Sequence, residues 1–261
     1  MIEAIDNIHE KYKAYKENEM SVWHERFTYK KNGKYARNTT NIFKFGTETD
    51  ALSTIKRCNT ASGYLYQITK LEDIYMDWVQ KNTDEIIGED ERHEIKLWFK
   101  GAMGEYFFHS VLSDVKCLFV PEDYDGNFKR VDFDEIVPIE GDNDFGIDFI
   151  GIANGTPSVF QIKSWSDPNE IAPMVIYQKA YGDGCANNYI NQHDDYNIFL
   201  CWFNTEKNGL LRIRQNKAYD KRALCVGYES LDESINKRNP SFWDKFYDSL
   251  CNIKEVKSTE K

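Results

Sequence analysis

Two short β-prone segments joined by a tight turn constrain the fold of this chain more than any other feature. Residues 147–152 read Ile-Asp-Phe-Ile-Gly-Ile, residues 157–163 read Pro-Ser-Val-Phe-Gln-Ile-Lys, and Asn154-Gly155 lies between them. Asn-Gly between two such segments is the strongest short-range signal of a β-hairpin. The sequence therefore predicts that the two segments pair as antiparallel strands.

Four polar residues interrupt apolar runs in and before this hairpin. Asp148 opens the first strand, Gln161 and Lys163 lie on the second, and Glu105 lies in the apolar helical stretch 101–108. Because side chains alternate across a strand, Gln161 and Lys163 share one face. Each residue alone also fits a solvated position or a backbone hydrogen bond. Together they predict a polar site at one end of a sheet, formed if the helix of Glu105 packs against that end.

Apolar periodicity along the chain predicts helices first and then strands with helices between them. This order favours an α/β core over residues 90–252, packed against a mainly helical N-terminal region of residues 1–89 and followed by a flexible tail, residues 253–261. The predicted helices are residues 2–18, 66–82, 90–113, 170–182 and 241–252, and the predicted strands are residues 116–120, 147–152, 157–163, 196–203, 211–214 and 223–226, with a surface hairpin at residues 27–37.

The charge of the chain is unevenly distributed. The whole chain has 33 Lys and Arg against 43 Asp and Glu, a formal net charge of −10, whereas residues 101–160 alone carry 3 basic and 12 acidic groups. A balance this acidic argues against a protein that coats nucleic-acid phosphates with its whole surface. The acidic stretch is typical either of a solvated acidic face or of carboxylates that bind a hard cation.

The sequence also indicates where the protein resides. No run of about 18 apolar residues occurs, and the first residues are acidic and amphipathic, so we expect neither a membrane span nor a signal peptide. The six cysteines form no Cys-x-x-Cys pair, which favours reduced and mostly buried thiols. We therefore expect a cytoplasmic protein with no membrane partner.

The order of these polar residues resembles the PD-(D/E)XK nuclease superfamily. Glu105 resembles the helical glutamate of the family, residues 146–150 resemble its Asp-bearing strand, and Gln161-Ile162-Lys163 resembles the Gln-x-Lys variant of Mrr-like and some type II restriction enzymes. Ile147 stands where the family name has proline. The resemblance covers roughly residues 95–205 and implies a restriction-endonuclease-like mixed β-sheet core flanked by helices.

The resemblance also implies a Mg²⁺-dependent phosphodiesterase site, in which Mn²⁺ is an expected substitute. Asp148 would be the principal metal ligand, Gln161 a ligand through its amide oxygen, and Glu105 a third group that acts directly or through metal-bound water. Lys163 would orient or deprotonate the attacking water and stabilise the developing negative charge. Asp144, in the loop before the strand of Asp148, is a candidate for a further metal ligand.

DNA is the usual substrate of the family, so we expect a DNA endonuclease of the restriction or phage-defence kind. A homodimer is expected because cutting both strands commonly uses two sites. Gln161 replaces the usual acid and therefore motivates an alternative, a catalytically silent relative that binds nucleic acid or a partner protein. A further alternative is a structure-specific nuclease that acts on junctions.

Positive charge for DNA contact is expected in the N-terminal region. Residues 1–60 carry 11 basic and 8 acidic groups, and the hairpin around Asn32-Gly33 carries four of the basic ones, Lys30, Lys31, Lys34 and Arg37. This hairpin is typical of a surface turn, and contact with nucleic acid is the alternative. His109, one helical turn after Glu105, either contacts the site or is a packed histidine. Weaker candidates for a phosphate-binding track, which no spacing selects, are Tyr177, Lys179, Tyr181, Arg212 and Arg214.

Overall fold

The computed structural model of the protein describes residues 7–31, 34–35, 41–84, 86–139, 147–164, 175, 177, 181, 198–202 and 207–252. The helices are α1 (Ile8–Arg26), α2 (Ile42–Glu48), a 3₁₀ helix (Ala51–Arg57), α3 (Ala61–Lys81), α4 (Glu89–Val115), α5 (Lys207–Gln215), α6 (Tyr228–Arg238) and α7 (Phe242–Asn252). The strands are β1 (Lys30–Lys31), β2 (Lys34–Tyr35), β3 (Cys117–Pro121), β4 (Phe128–Pro138), β5 (Phe149–Ala153), β6 (Thr156–Ile162), β7 (Ile198–Trp202) and β8 (Ala223–Val226).

The strands β3 to β8 form one mixed sheet in the order β3-β4-β5-β6-β7-β8. The first four strands are antiparallel neighbours, whereas β7 runs parallel to β6 and β8 runs parallel to β7. Apolar side chains of helices pack on both faces of this sheet. The predicted α/β class, with a mixed sheet flanked by helices, is therefore confirmed.

The hairpin predicted from Asn154-Gly155 is confirmed as β5 and β6. Phe149 lies opposite Phe160, and the two turn residues have φ angles of 49° and 77°. These left-handed values belong to the type I′ turn, which Asn-Gly adopts with little strain. The turn fixes the register of the two strands, and at their open end the N–H of Asp148 donates to the carbonyl of Phe160.

Two apolar clusters hold the helices to the sheet. Phe149 and Phe160 pack in a large cluster with α3, α4 and α7, while Ile150 and Val159 pack in a smaller cluster with α5. Trp23 from α1 belongs to the large cluster as well. The N-terminal region and the sheet therefore share one core, and α1 is tied to the elements that carry the polar site.

The predicted strand at residues 211–214 is wrong, because this segment belongs to the helix α5. Its alternation of apolar and basic residues resembles a strand pattern, but Leu210, Leu211 and Ile213 are all buried together on one side of a helix. A short alternating run fits both periods, and here packing against the smaller cluster decides for the helix.

The long strand β4 was not expected from the sequence. Val131 and Phe133 are buried between exposed charged residues, so the strand is apolar on one face only. The register shifts between Asp134 and Val137, and Glu135 has a φ angle of 53°. This bulge interrupts the alternation of apolar and polar residues by which a strand is recognised in a sequence.

The predicted N-terminal hairpin is confirmed in its backbone. β1 and β2 pair antiparallel, with Lys31 opposite Lys34. Arg37, Asp144 and residues 253–261 lie outside the described residues, as does most of the predicted helix at residues 170–182. Among the described helices, none has the length and apolarity that a membrane crossing requires.

Gly104 allows α4 to approach the end of the sheet closely. A Cβ atom on Gly104 would lie 3.0 Å from the Cβ and Oγ atoms of Ser164 and 3.4 Å from Trp202. Ser164 directly follows Lys163, and Gly104 directly precedes Glu105. The missing side chain therefore brings the helix of Glu105 against the strand end of Lys163.

A pair of substitutions one helical turn apart tests this close approach. A Cβ atom on Gly101, also in α4, would meet nothing within 4 Å. Gly101→Ala should raise the free energy of unfolding by about 0.5–1 kcal/mol through helix propensity. Gly104→Ala should instead lower it by about 1–2 kcal/mol, because overpacking exceeds that gain. Urea denaturation of both variants measures the difference, and equal stabilisation by both would contradict the close contact.

Candidate active site

Asp148 directly precedes β5 and lies at the open end of the β5–β6 hairpin, beside the end of β6. Its backbone N–H donates to the carbonyl of Phe160 over 2.8 Å, and its Oδ2 atom accepts a hydrogen bond from the backbone N–H of Ile162. The side chain thus takes the place of a backbone acceptor in the ladder. The carboxylate is thereby held beside Ile162, the residue between Gln161 and Lys163.

Glu105 reaches this end of the sheet from α4 and is paired with Arg26, the last residue of α1. The distance from Arg26 Nη1 to Glu105 Oε2 is 2.6 Å. The second terminal nitrogen of Arg26 donates to the carbonyl of Ile139, whose own N–H donates to the carbonyl of Asp148 over 3.0 Å. One guanidinium therefore connects α1, α4 and the strand end that carries Asp148.

The charges of the site act on one another. Burial raises the pKa of Asp148 to about 8, and the negative charge of Glu105 acts in the same direction. The N–H of Ile162 and the positive charges of Lys163 and Arg26 oppose this rise in pKa. Asp148 is thus close enough to Glu105, Lys163 and Arg26 to interact with their charges. Free energy is lost when both carboxyl groups are ionised without a positive charge beside them.

Gln161 is buried, with 1% of its surface exposed. Its Oε1 atom has no hydrogen-bond partner among the described residues. A buried acceptor without a partner costs free energy, so such an atom is a candidate ligand. Gln161 directly precedes Ile162, whose N–H donates to Asp148.

The donor atoms of the site suit a hard cation. Asp148, Glu105 and Gln161 offer oxygen atoms, which are the ligands that Mg²⁺ prefers, and one or two carboxylates suffice for it. Within the described ranges no group of three or more His, Cys, Asp or Glu is arranged to hold a metal ion. Asp148 and Glu105 would supply the two carboxylates, Gln161 is a candidate for a third ligand, and Asp144 lies outside the described residues.

Three other carboxylates of the acidic stretch have contacts away from this site. Asp123 accepts hydrogen bonds from the backbone of the turn between β3 and β4. Asp132 pairs with Arg130 on the surface, and Glu135 contacts His9 of α1. For these residues the interpretation as a solvated acidic face applies.

His109 is a packed histidine. Its ring lies 5.6 Å from that of Tyr15, 5.2 Å from that of Trp23 and 5.5 Å from that of Phe149. Burial lowers the pKa of His109 to about 3, so the imidazole is neutral at physiological pH. It supports the packing of α1 on α4 rather than proton transfer.

The tyrosines suggested for a phosphate track are buried as well. Tyr177 and Tyr181 are 3% and 4% exposed and stack on each other. The hydroxyl of Tyr181 donates to Asp220 over 2.8 Å. These two rings are therefore packing residues of the smaller cluster.

Arg26 and Ser164 carry no mark of a site in the sequence. Arg26 lies 79 positions before Glu105, and no local pattern identifies an arginine at a helix end as part of a distant site. Its neighbours Trp23 and Phe27 are buried, so the charge of Arg26 needs a partner, but this burial is seen only in the folded protein. Ser164 directly follows the Gln-x-Lys motif and had no signal of its own.

Comparison with known proteins gives no family assignment. The chain matches no protein-family model, no curated protein and no solved structure. Functional conclusions therefore depend on the arrangement of Glu105, Asp148, Gln161 and Lys163 and on the chemistry of those groups.

The raised pKa of Asp148 predicts a pH-dependent stability. In the unfolded chain Asp148 loses its proton near pH 4, whereas in the folded protein it keeps the proton up to about pH 8. The folded state binds more protons between these values, so the stability of the protein falls as the pH rises through them. Asp148→Asn removes the titration and keeps an oxygen for the N–H of Ile162.

We expect Asp148→Asn to be more stable than the parent protein at pH 8 by about 2–4 kcal/mol, a difference that vanishes near pH 4. Urea denaturation at several pH values, with EDTA present, measures it. Asp73→Asn, which removes an exposed carboxylate paired with Lys96, is the control and should change stability by less than about 1 kcal/mol. A destabilised Asp148→Asn at pH 8 would refute the assignment.

Proposed function

We propose that this protein is a Mg²⁺-dependent DNA endonuclease of the PD-(D/E)XK kind, with a restriction-endonuclease-like core, that acts in restriction or phage defence. The supporting observation is the shared electrostatic environment of Asp148, Glu105 and Lys163 at the end of the β5–β6 hairpin. Two carboxylates and a lysine at one point are suited to binding a cation and a phosphodiester together.

Asp148 and Glu105 would hold Mg²⁺ with the buried amide oxygen of Gln161, and Mn²⁺ is an expected substitute. A bound divalent cation polarises a phosphoryl oxygen and lowers the pKa of a water molecule that it carries. The orphaned Oε1 atom of Gln161 supports this assignment, because a ligand there would satisfy a buried acceptor.

Lys163 would act on the reacting phosphate. By strand alternation its side chain shares a face with Gln161. Its positive charge lowers the pKa of Asp148. An ammonium at this position would orient the attacking water and stabilise the negative charge that develops in the transition state. Asp148 would contribute as the carboxylate, which is the form that binds a cation.

The contacts to DNA are proposed for the N-terminal hairpin. A chain with a net charge of −10 needs a local concentration of positive charge to hold a phosphate backbone. The hairpin β1–β2 and the residues after it carry that charge as Lys30, Lys31, Lys34 and Arg37. A homodimer would place two such sites on opposite strands of a duplex.

Cleavage of plasmid DNA tests this function. The purified protein, incubated with Mg²⁺ or Mn²⁺ and with methylated or unmethylated plasmid, should nick or cut at least one of them. Asp148→Ala and Lys163→Ala should each lower the rate by about 100-fold or more, because each removes a group that contacts the reacting centre. Lys96→Ala, which removes a lysine of α4 from an exposed ion pair, is the control and should cut normally.

Cleavage that both active-site substitutions leave unchanged would refute the assignment. Absence of cleavage on linear, branched, methylated and single-stranded DNA would favour the second candidate, a catalytically silent relative that binds nucleic acid. Two observations favour that candidate: Gln161 is neutral where an acid is usual, and Glu105 is engaged by Arg26.

Gln161→Glu separates the two candidates. The substitution restores a carboxylate beside Asp148, which adds a negative charge for a cation. In an active nuclease it should lower the Mn²⁺ concentration needed for half-maximal cleavage. In a silent relative it should produce cleavage where the parent protein has none, or leave metal-independent DNA binding as the only activity in a gel-shift assay.

A further inference from the structure

We propose that Arg26 is a resident counter-ion of the site, which occupies Glu105 in the metal-free protein and thereby sets the metal concentration that the site requires. This inference rests on the proposed metal-dependent function and names a control on the same site. Arg26 comes from α1, outside the segment that resembles the nuclease family. The N-terminal helix would therefore regulate a site built by α4, β5 and β6.

The ion pair of Arg26 is placed by several independent contacts. Besides Glu105, the guanidinium donates to the carbonyl of Ile139 and lies 5.6 Å from the ring centre of Trp23 and 5.9 Å from that of Phe149. The side chains of Arg26 and Glu105 are only 14% and 25% exposed. A pair so enclosed is screened little by solvent, unlike an ion pair on the surface.

The end of α1 is held in place by its neighbours. Trp23 and Phe27, on either side of Arg26, are 2% and 1% exposed in the large apolar cluster. The indole of Trp23 also donates to the hydroxyl of Tyr15 over 3.0 Å. The packed residues on either side thus direct the side chain of Arg26 at Glu105.

The charges of the site explain why Arg26 would control metal binding. Arg26 and Lys163 are the two positive groups of the site, and Arg26 occupies the carboxylate of Glu105. A divalent cation that enters the site is repelled by both positive charges and competes with Arg26 for Glu105. Without Arg26 the site has one positive charge fewer, whether or not Asp148 carries its proton, so the cation is repelled less and meets no competitor at Glu105.

The same geometry gives Arg26 a second, positioning role. Ile139 bonds to Asp148 through its backbone N–H and to Arg26 through its carbonyl. The guanidinium therefore links the helix of Glu105 to the strand end of Asp148. A planar group with several donors can serve both acceptors at once, whereas the single ammonium of lysine serves one point in space.

Direct measurement of Mn²⁺ binding tests the proposal without reference to cleavage. The full-length protein and its variants are titrated with Mn²⁺, and free Mn²⁺ is measured by electron paramagnetic resonance. Arg26→Met should bind Mn²⁺ about tenfold or more tightly than the parent protein, because the competing charge is gone. Arg26→Lys should remain within about threefold of the parent protein, because it keeps the charge.

A double-mutant cycle shows whether Arg26 acts through Glu105. Glu105→Gln alone should weaken Mn²⁺ binding, and Arg26→Met in that background should give little or no gain, because the shared partner is absent. Arg92→Met is the matched control, since Arg92 is an arginine of α4 paired with Asp77 away from the site. It changes the net charge equally and should leave Mn²⁺ binding unchanged.

Three results would overturn the proposal. The first is a Mn²⁺ affinity of Arg26→Met that is weaker than that of the parent protein or within about twofold of it. The second is a tenfold gain in Mn²⁺ affinity that persists in the Glu105→Gln background. The third is an equal gain in Mn²⁺ affinity in Arg92→Met. Circular dichroism and thermal melting check that each variant is folded, and Arg26→Gln, which keeps a donor for Ile139, replaces Arg26→Met if the latter unfolds.

The result also separates this proposal from the proposed function. Tighter Mn²⁺ binding by Arg26→Met without DNA cleavage by any variant would support the counter-ion and refute the nuclease. Metal-dependent cleavage by the parent protein with equal Mn²⁺ affinities would support the nuclease and refute the counter-ion. Binding of Mn²⁺ by neither protein would refute both.

Discussion

Two carboxyl groups held close together in a largely enclosed place are the constraint on which the arrangement of this protein depends. Glu105 and Asp148 come from different elements, and each makes the ionisation of the other more costly. Two positive charges offset part of this cost. Arg26 supplies one from α1, and Lys163 supplies the other from the residue after β6. The contacts of α1, α4 and the β5–β6 hairpin at this point therefore form one electrostatic unit.

The sequence predicts a large part of this unit, and the reason is local. Asn154-Gly155 favours a hairpin, the two-residue turn sets its register, and this register brings Asp148 beside Phe160 and Ile162. The helix of Glu105 follows from its apolar periodicity in the same way. Where the pattern fits two periods, as at residues 211–214, or is interrupted by a bulge, as at Glu135, local reasoning is insufficient.

Arg26 could not be predicted by the same means, because its role arises only from tertiary packing. Arg26 and Glu105 are 79 positions apart, and no local pattern links them. Their contact depends on the packing of α1 against α4. Trp23 of α1 lies in the large cluster, and its ring packs against the ring of His109 in α4. The sequence thus indicates the groups that would perform chemistry, while the group that balances their charge is found only in the folded protein.

The shared core of α1 and the sheet has a consequence for engineering. In a modular nuclease the part that selects DNA can be exchanged while the part that cuts stays intact. Here the N-terminal region carries the basic hairpin, the buried Trp23 and the arginine that pairs with Glu105. In the proposed nuclease, replacing this region to change the DNA target would remove buried residues of the core and the arginine that pairs with Glu105. A new specificity would therefore have to be built by substitutions within the native N-terminal region.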